Sequence, residues 1–534
     1  LDPGVPSDAP TLFAGAPTGV GPCITEPEDG ALFPRNWLRP RVKFQPAVAG
    51  TLHEIRFHAD KEANDVVAYT TSDTWTLPKA IWTNLATNVQ DAPITVTVRA
   101  LGGGATAVKF TVAPVGAEGS IVYWAADPSE LGTKRATSST LQGFAAGDES
   151  TITALTVQDV QMKTRGANGN AIRDVTCIGC HSSTPDGQSV AFVDNYPWSM
   201  AIAEVNPTRT GFEPLAQSPG GYINPGGEEA IRQPGLGIFS FSKAHWSTGD
   251  RIIVAPYYLT TTCGPYDQNN PNVRLAWLDV EAVPVNGACP VEGVGFGFIG
   301  RNGDARGAAN PTWSPDGTTI VYSSTNGNQD GRLSVGATDL FEVPYNNKLG
   351  GDATPLPGAS DPAFEEYYPA FSSDGKFVVF DRIPAGGKMY ANPQAELYVV
   401  RADGSTPTPT RLRANDPAKC GGMVSPGVNN HWAKWAPGLK APAGMMLAGT
   451  KEDGAPPNAN GKDYYWLIFS SNRYGTPPVT AGGSTVQVSQ LYATALVVDE
   501  TGVQSFPAIY LWNQQPDRLN TTPAWDAFQI PIIP

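Results

Sequence analysis

One turn design recurs along this chain and limits what it can fold into. Asn310-Pro311-Thr312-Trp313-Ser314-Pro315-Asp316-Gly317 runs into Thr319-Ile320-Val321-Tyr322, and Tyr368-Pro369-Ala370-Phe371-Ser372-Ser373-Asp374-Gly375 runs into Phe377-Val378-Val379-Phe380. Looser copies begin at His245-Trp246-Ser247-Thr248-Gly249-Asp250 and Lys434-Trp435-Ala436-Pro437-Gly438. Each copy reads as a strand entering at the aromatic residue, a hairpin turn, a second strand, and a third after a loop. The anchors Trp246, Trp313, Phe371 and Trp435 are spaced by 67, 58 and 64 residues. That exceeds the period of about 40 to 50 residues usual for repeats that each form one sheet, and long loops account for the excess.

Composition agrees with many short strands. The 534 residues include 57 Gly and 49 Pro, about a fifth of the chain, and apolar residues seldom recur at helical spacing. The expected class is all-β. A net charge of −14 opposes binding to phosphate backbones and anionic lipid, so no nucleic acid is expected as a partner. With no apolar run of roughly 18 residues, no membrane-spanning segment is expected. The start at Leu1-Asp2-Pro3-Gly4, without Met, is what removal of a targeting segment leaves, and export to a periplasm or cell surface is the expectation.

The Trp313-Ser314-Pro315-Asp316-Gly317 turn and the Ser470-Ser471-Asn472-Arg473 segment after a later strand resemble the TolB-like (WD40-like) β-propeller repeat. The resemblance covers about residues 120 to 534. Ser183-Thr184-Pro185-Asp186-Gly187 fits the same turn, with Ser183 in the place of Trp313, which gives five anchors. A sixth blade is expected from Ala508–Trp512 and Pro523-Ala524-Trp525 with Ser120–Trp124, leaving seven blades as the alternative. The division is then a linker or arm at 1–24, an immunoglobulin- or fibronectin-like β-sandwich at 25–118, and the propeller at 119–534.

Cys177-Ile178-Gly179-Cys180-His181 is the Cys-x-x-Cys-His pattern of covalent haem c attachment, in which both thiols bond the porphyrin and the His binds iron. Structural zinc would need two more ligands that no second motif supplies, and a thioredoxin-like pair would need a βαβ context. Haem c is attached in an exported compartment, where Cys23, Cys263, Cys289 and Cys420 can pair. Of three connectivities, Cys263 with Cys289 is preferred because that length can join neighbouring strands, which leaves Cys23 for Cys420.

In a propeller, residues just ahead of each anchor share one mouth of the channel, which places His181, His245 and His431 together. The second iron ligand is then expected from His431 or His245, with Met423 as a weaker candidate, unless both histidines merely pack beside tryptophans and the position stays open. His53 and His58, five apart in a probable strand, point to opposite faces. Gly295-Phe296-Gly297-Phe298-Ile299-Gly300 lacks the strand-turn-helix setting of a dinucleotide site, and no Gly-x-Ser-x-Gly elbow marks a peptidase. Asn326–Asp330 could bind calcium, though turns demand the same residues.

The function expected is single-electron transfer by a monohaem cytochrome, with a redox protein, plausibly basic, as partner. One alternative is a haem enzyme with open iron acting on peroxide or a nitrogen compound. Similar haem-bearing propellers occur in hydrazine-forming complexes, although no distal catalytic residue matches here. The other alternative is an interaction scaffold with structural haem.

Overall fold

The computed structural model describes residues 1–534 apart from 131–135, 159–174, 188, 196–198, 206–211, 215–235, 248, 262–266, 268–269, 282–290, 327–337, 439–454, 482 and 527–534. Cys263 and Cys289, and residues 327–330 of the loop considered for calcium, lie outside the described residues.

The chain is all-β. Among the described residues, six antiparallel sheets each have a run of four strands in up-and-down order, and the fifth carries two short strands besides. Their first strands are Gly179–Ser183, Ser240–Ser247, Gly307–Trp313, Phe364–Phe371, Asn430–Trp435 and Leu519–Asp526. Each first strand packs against the first strand of the next sheet, and Leu519–Asp526 packs back against Gly179–Ser183. The sixth sheet joins distant parts of the sequence, because Leu519–Asp526 pairs with Ser120–Ala126, which pairs with Thr140–Ala145. Ala508–Trp512 is a correction to the sequence reading. Its Ile509–Tyr510 strand pairs with Gln490–Asp499 and so belongs to the fifth sheet rather than the sixth.

The recurring turn has one hydrogen-bond design. Ser314 Oγ donates to Asp316 Oδ1 at 2.6 Å and accepts from Thr319 N at 2.9 Å. Thr184 with Asp186 and Ser189, and Ser372 with Asp374 and Phe377, repeat it. Gly317, at φ 70°, has no room for a side chain, since a Cβ there would come within 2.8 Å of the His245 ring.

The anchor indoles stitch neighbouring sheets. Trp313 Nε1 donates to Ser240 O at 3.2 Å, Trp435 Nε1 to Ala370 O at 2.9 Å, and Trp246 Nε1 to Asp186 Oδ2 at 3.1 Å. A buried indole N–H needs such a partner, so the Trp supplies apolar area and register together. Where Ser183 replaces the aromatic anchor, its hydroxyl donates to Asp526 Oδ2 at 2.6 Å and ties the first sheet to the sixth.

Ahead of the ring lie a three-stranded sheet, Cys23–Glu26, Arg41–Gln45 and Thr74–Thr76, and a five-stranded sheet containing His53–His58 and Pro93–Ala100. His53 is buried and His58 exposed, on opposite faces of their strand. A helix, Lys79–Asn88, which the sequence reading did not anticipate, buries Trp82 and Leu85. The core of these sheets is continuous with Tyr123, Trp466 and Leu491 of the ring, so the two parts are fused by apolar packing. A disulfide between Cys23 and Cys420 adds a covalent tie. Residues 1–24 are docked rather than loose: Ala9 and Phe13 pack with Leu52 and Tyr69, and Arg99 Nη1 donates to Phe13 O at 2.8 Å.

Candidate functional site

Five of the six first strands carry a β-bulge of one kind. The strand pairing slips between Gly179 and Ser182, Ala309 and Thr312, Tyr367 and Ala370, His431 and Lys434, and Thr521 and Ala524. Inside each slip sits one non-glycine residue in the left-handed region: Cys180 (φ 47°), Asn310 (φ 44°), Tyr368 (φ 55°), Trp432 (φ 56°) and Thr522 (φ 43°). A bulge re-aims a side chain, and left-handed backbone is uncommon for residues other than glycine. All five line one cavity, as does Lys243 at the matching place in the second sheet. The cavity has a volume of about 400 Å³ and is walled by the first strands of all six sheets, which puts it within their ring.

Cys177, Cys180 and His181 all open on this cavity. The two cysteines are half-buried thiols. Cys177 packs beside Trp124, Ile178 and Phe192, whereas Cys180 packs toward Phe239 and Phe241. Gly179 between them leaves room for the Trp124 ring, which a Cβ would approach to 3.3 Å. His181 is buried and its Nε2 lies 2.9 Å from Val122 O, so Nε2 carries the hydrogen of that bond. Burial pushes its pKa down to about 4, which keeps the imidazole neutral at neutral pH, the state in which a histidine ligates a metal.

The three residues considered for the second iron ligand make other contacts in this structure. His431 is buried with Nδ1 2.9 Å from Asp381 Oδ2, and its Nε2 accepts from Asn392 N at 3.1 Å. His245 has Nδ1 2.8 Å from Asp250 Oδ2 and Nε2 3.1 Å from Gly317 O, beside Trp313 and Tyr345. Met423 lines a second cavity of about 130 Å³, against the N-terminal sheets, together with Glu28, Arg41 and Arg473. Neither histidine lines the axial cavity: His431 precedes the bulge of its strand, so its ring turns toward the neighbouring sheet.

The residue that sequence reasoning missed is Lys434, on the cavity wall just after that bulge. Burial pulls its amine below the usual lysine range, with Asp381 acting against the shift. Its charge in turn helps to lower the pKa of His181. The other amine of the cavity, Lys243, is half in solvent and pairs with Asp526 at 3.8 Å. Among the described residues no group of three or more His, Cys, Asp or Glu side chains could hold a metal ion by itself. None of their helices is long and apolar enough to cross a membrane.

Two thiols and an imidazole, the donor types a covalently held haem needs, belong to residues that line one cavity with Trp124, Trp313, Trp432, Trp435 and Trp525, and its volume is in the range of about 300 to 1,000 Å³ usual for ligand sites.

No family model and no curated protein matches the chain. Similar solved structures include TolB from Acinetobacter baumannii, at 12% identity and a TM-score of 0.37, covering 82% of this chain and 79% of that one. A TolB-type protein from Agrobacterium tumefaciens is similar at 13% identity and a TM-score of 0.30, covering 76% of this chain and 98% of that one. A Trypanosoma rangeli sialidase shares 10% identity at a TM-score of 0.31, over 64% of this chain and 50% of that one.

Proposed function

We propose that this chain is an exported monohaem c-type cytochrome that passes single electrons to and from a redox protein. In this reading the six sheets are the blades of one propeller, the N-terminal sheets form an immunoglobulin-like sandwich, and haem c occupies the axial cavity. The observation that carries the reading is that Cys177, Cys180 and His181 open together on that cavity.

Cys177 and Cys180 would hold the group by thioether bonds and His181 would supply an axial nitrogen. When bound, haem supplies one-electron iron redox chemistry. The rest falls to the chain. His181 would have to give up its Nε2 hydrogen bond to Val122 O in order to offer that nitrogen to the group. The tryptophans give the cavity apolar surface, and a low local dielectric favours the less charged of two oxidation states. The acidic chain attracts a basic partner, with an association rate that falls as salt rises. The Cys23–Cys420 bridge suits an oxidising compartment, which supports export.

The test is expression in an exporting host that has a haem-attachment pathway. Haem that stays with the chain through denaturing electrophoresis, with one haem per chain, supports the reading. A correctly folded chain that leaves that host without haem refutes it.

One observation favours the enzymatic alternative. His245, His431 and Met423 all make other contacts, so an iron held by His181 would have an open sixth position unless another donor reaches it. Carbon monoxide binding to the reduced protein separates the two readings.

A further inference from the structure

We infer that the second cavity, between the N-terminal sheets and the fifth sheet of the ring, binds a small aromatic carboxylate with Lys43 as its charge partner. The inference stands on this cleft alone and does not draw on the haem reading.

Arg39, Arg41 and Lys43 are alternate residues leading into and along the Arg41–Gln45 strand, and all three line the cleft. Each meets a ring on the opposite wall: Arg39 lies 5.9 Å from the centre of Trp512, Arg41 4.7 Å from Tyr510, and Lys43 3.8 Å from Tyr474. This ladder joins the two walls. The Cys23–Cys420 bridge ties the same walls beside Thr25 and Gly421, which also line the cleft, so the site is held open in one shape before any ligand arrives.

The charges of the ladder are unequal in their partners. Arg39 pairs with Glu149, Arg41 with Glu26 through two hydrogen bonds, and Arg473, deeper in the cleft, with Glu28. Lys43 has no carboxylate partner among the described residues. Its ammonium rests on the Tyr474 ring, which orients the charge without neutralising it. A half-buried cation placed in this way, on a chain of net charge −14, is a site for an anion from outside. A second donor is spare as well. Trp37 is buried and lines the same cleft, yet its Nε1 has no acceptor, which a buried indole N–H normally finds.

Size and surface select the anion. The cleft has a volume of about 130 Å³, close to the cavity of about 150 Å³ that takes a benzene ring. Tyr474, Tyr510 and Met423 give it apolar wall. A single ring bearing one carboxylate matches both the volume and the lone ammonium, whereas a nucleotide or an oligosaccharide is too large.

The experiment is calorimetric titration of the folded full chain with benzoate, and with acetate and benzyl alcohol, which each lack one half of it. Benzoate is expected to bind saturably at one site per chain. Benzyl alcohol should bind at least about tenfold more weakly, as loss of one charge-assisted hydrogen bond predicts, and acetate should bind more weakly for want of the ring. Lys43→Met keeps the stem without the charge and should lose about tenfold or more, while Lys43→Arg should stay within a few-fold of the wild type. Thermal melts establish that each variant is folded, and Lys43→Gln replaces the Met variant if that one is not. Absence of saturable benzoate binding, equal binding of acetate or of benzyl alcohol, or wild-type affinity in a folded variant that lacks the Lys43 charge would each overturn the inference.

Discussion

His431 Nδ1 stands 2.9 Å from Asp381 Oδ2, and both side chains are almost fully buried. The pair holds the first strand of the fifth sheet to the second strand of the fourth. Burial raises the pKa of Asp381, and the His431 contact opposes the rise. His431→Ala takes away that partner and is expected to cost about 3 to 5 kcal/mol, as removal of one member of a buried charged pair does. Asp381→Ala should cost about 1 to 3 kcal/mol for each of the two N–H groups it strands, His431 Nδ1 and Trp432 N. Urea unfolding measures both. In whatever haem-loaded His431→Ala protein can be purified, the spectrum should match the wild type, and a change of spin state would return His431 to the iron.

The two thiols give a graded outcome. Cys177→Ser and Cys180→Ser each leave one attachment point, and the double variant leaves none. The mass of the denatured chain should show reduced haem retention in the single variants and none in the double variant. Full retention in the double variant would mean that the group is held by something other than thioethers.

The Cys23–Cys420 bridge closes a loop of 397 residues in sequence and joins the N-terminal sheets to the ring. Cys420→Ser is expected to lower stability by about 2 to 5 kcal/mol, chiefly by freeing the unfolded chain. Calorimetry with and without reductant checks this: reduction should shift the wild type down by more than it shifts the variant.

Glu28 sets a pH dependence. Burial pushes its carboxyl up to about 7, against the attraction of Arg473, 3.3 Å away. The folded state therefore holds the Glu28 proton more tightly than the unfolded chain does, where the ordinary value is 4.5. This contribution is fully present below pH 4.5, falls as pH rises through the window to about 7, and stays lost above it. The span is on the order of 1 to 3 kcal/mol. Glu28→Gln should flatten this part of the stability profile in denaturant titrations between pH 4.5 and 7.5, and an unchanged slope would assign the titration to another group.

The sheets are legible in the sequence because Trp313-Ser314-Pro315-Asp316-Gly317 specifies a register, a hydroxyl-carboxylate turn and a left-handed glycine within five residues. Thr184 can stand for Ser314 because either hydroxyl makes the same pair of hydrogen bonds. The wall of the cavity is not legible in this way. Its bulge residues are a cysteine, an asparagine, a tyrosine, a tryptophan and a threonine, which share a backbone angle and no side-chain chemistry. Counting residues back from each anchor finds the right strand for His431 but the wrong face, since one inserted residue reverses the alternation. Ala508–Trp512 went to the fifth sheet for a related reason. An apolar strand states that it pairs, and only the geometry of the neighbours states with what.

The hydroxyl of Ser183 reaches Asp526 across 343 residues of sequence, and this separation puts events in order. Contacts so distant in sequence are slow to form, so the segment around Cys177 and Cys180 is open until the Leu519–Asp526 strand closes on its flank. If a bulky group is joined to the two thiols, as proposed, it can be joined while the chain is still open, and that strand then shuts it in. The same contact would then be the last of the ring to form and the first on which the covered flank depends.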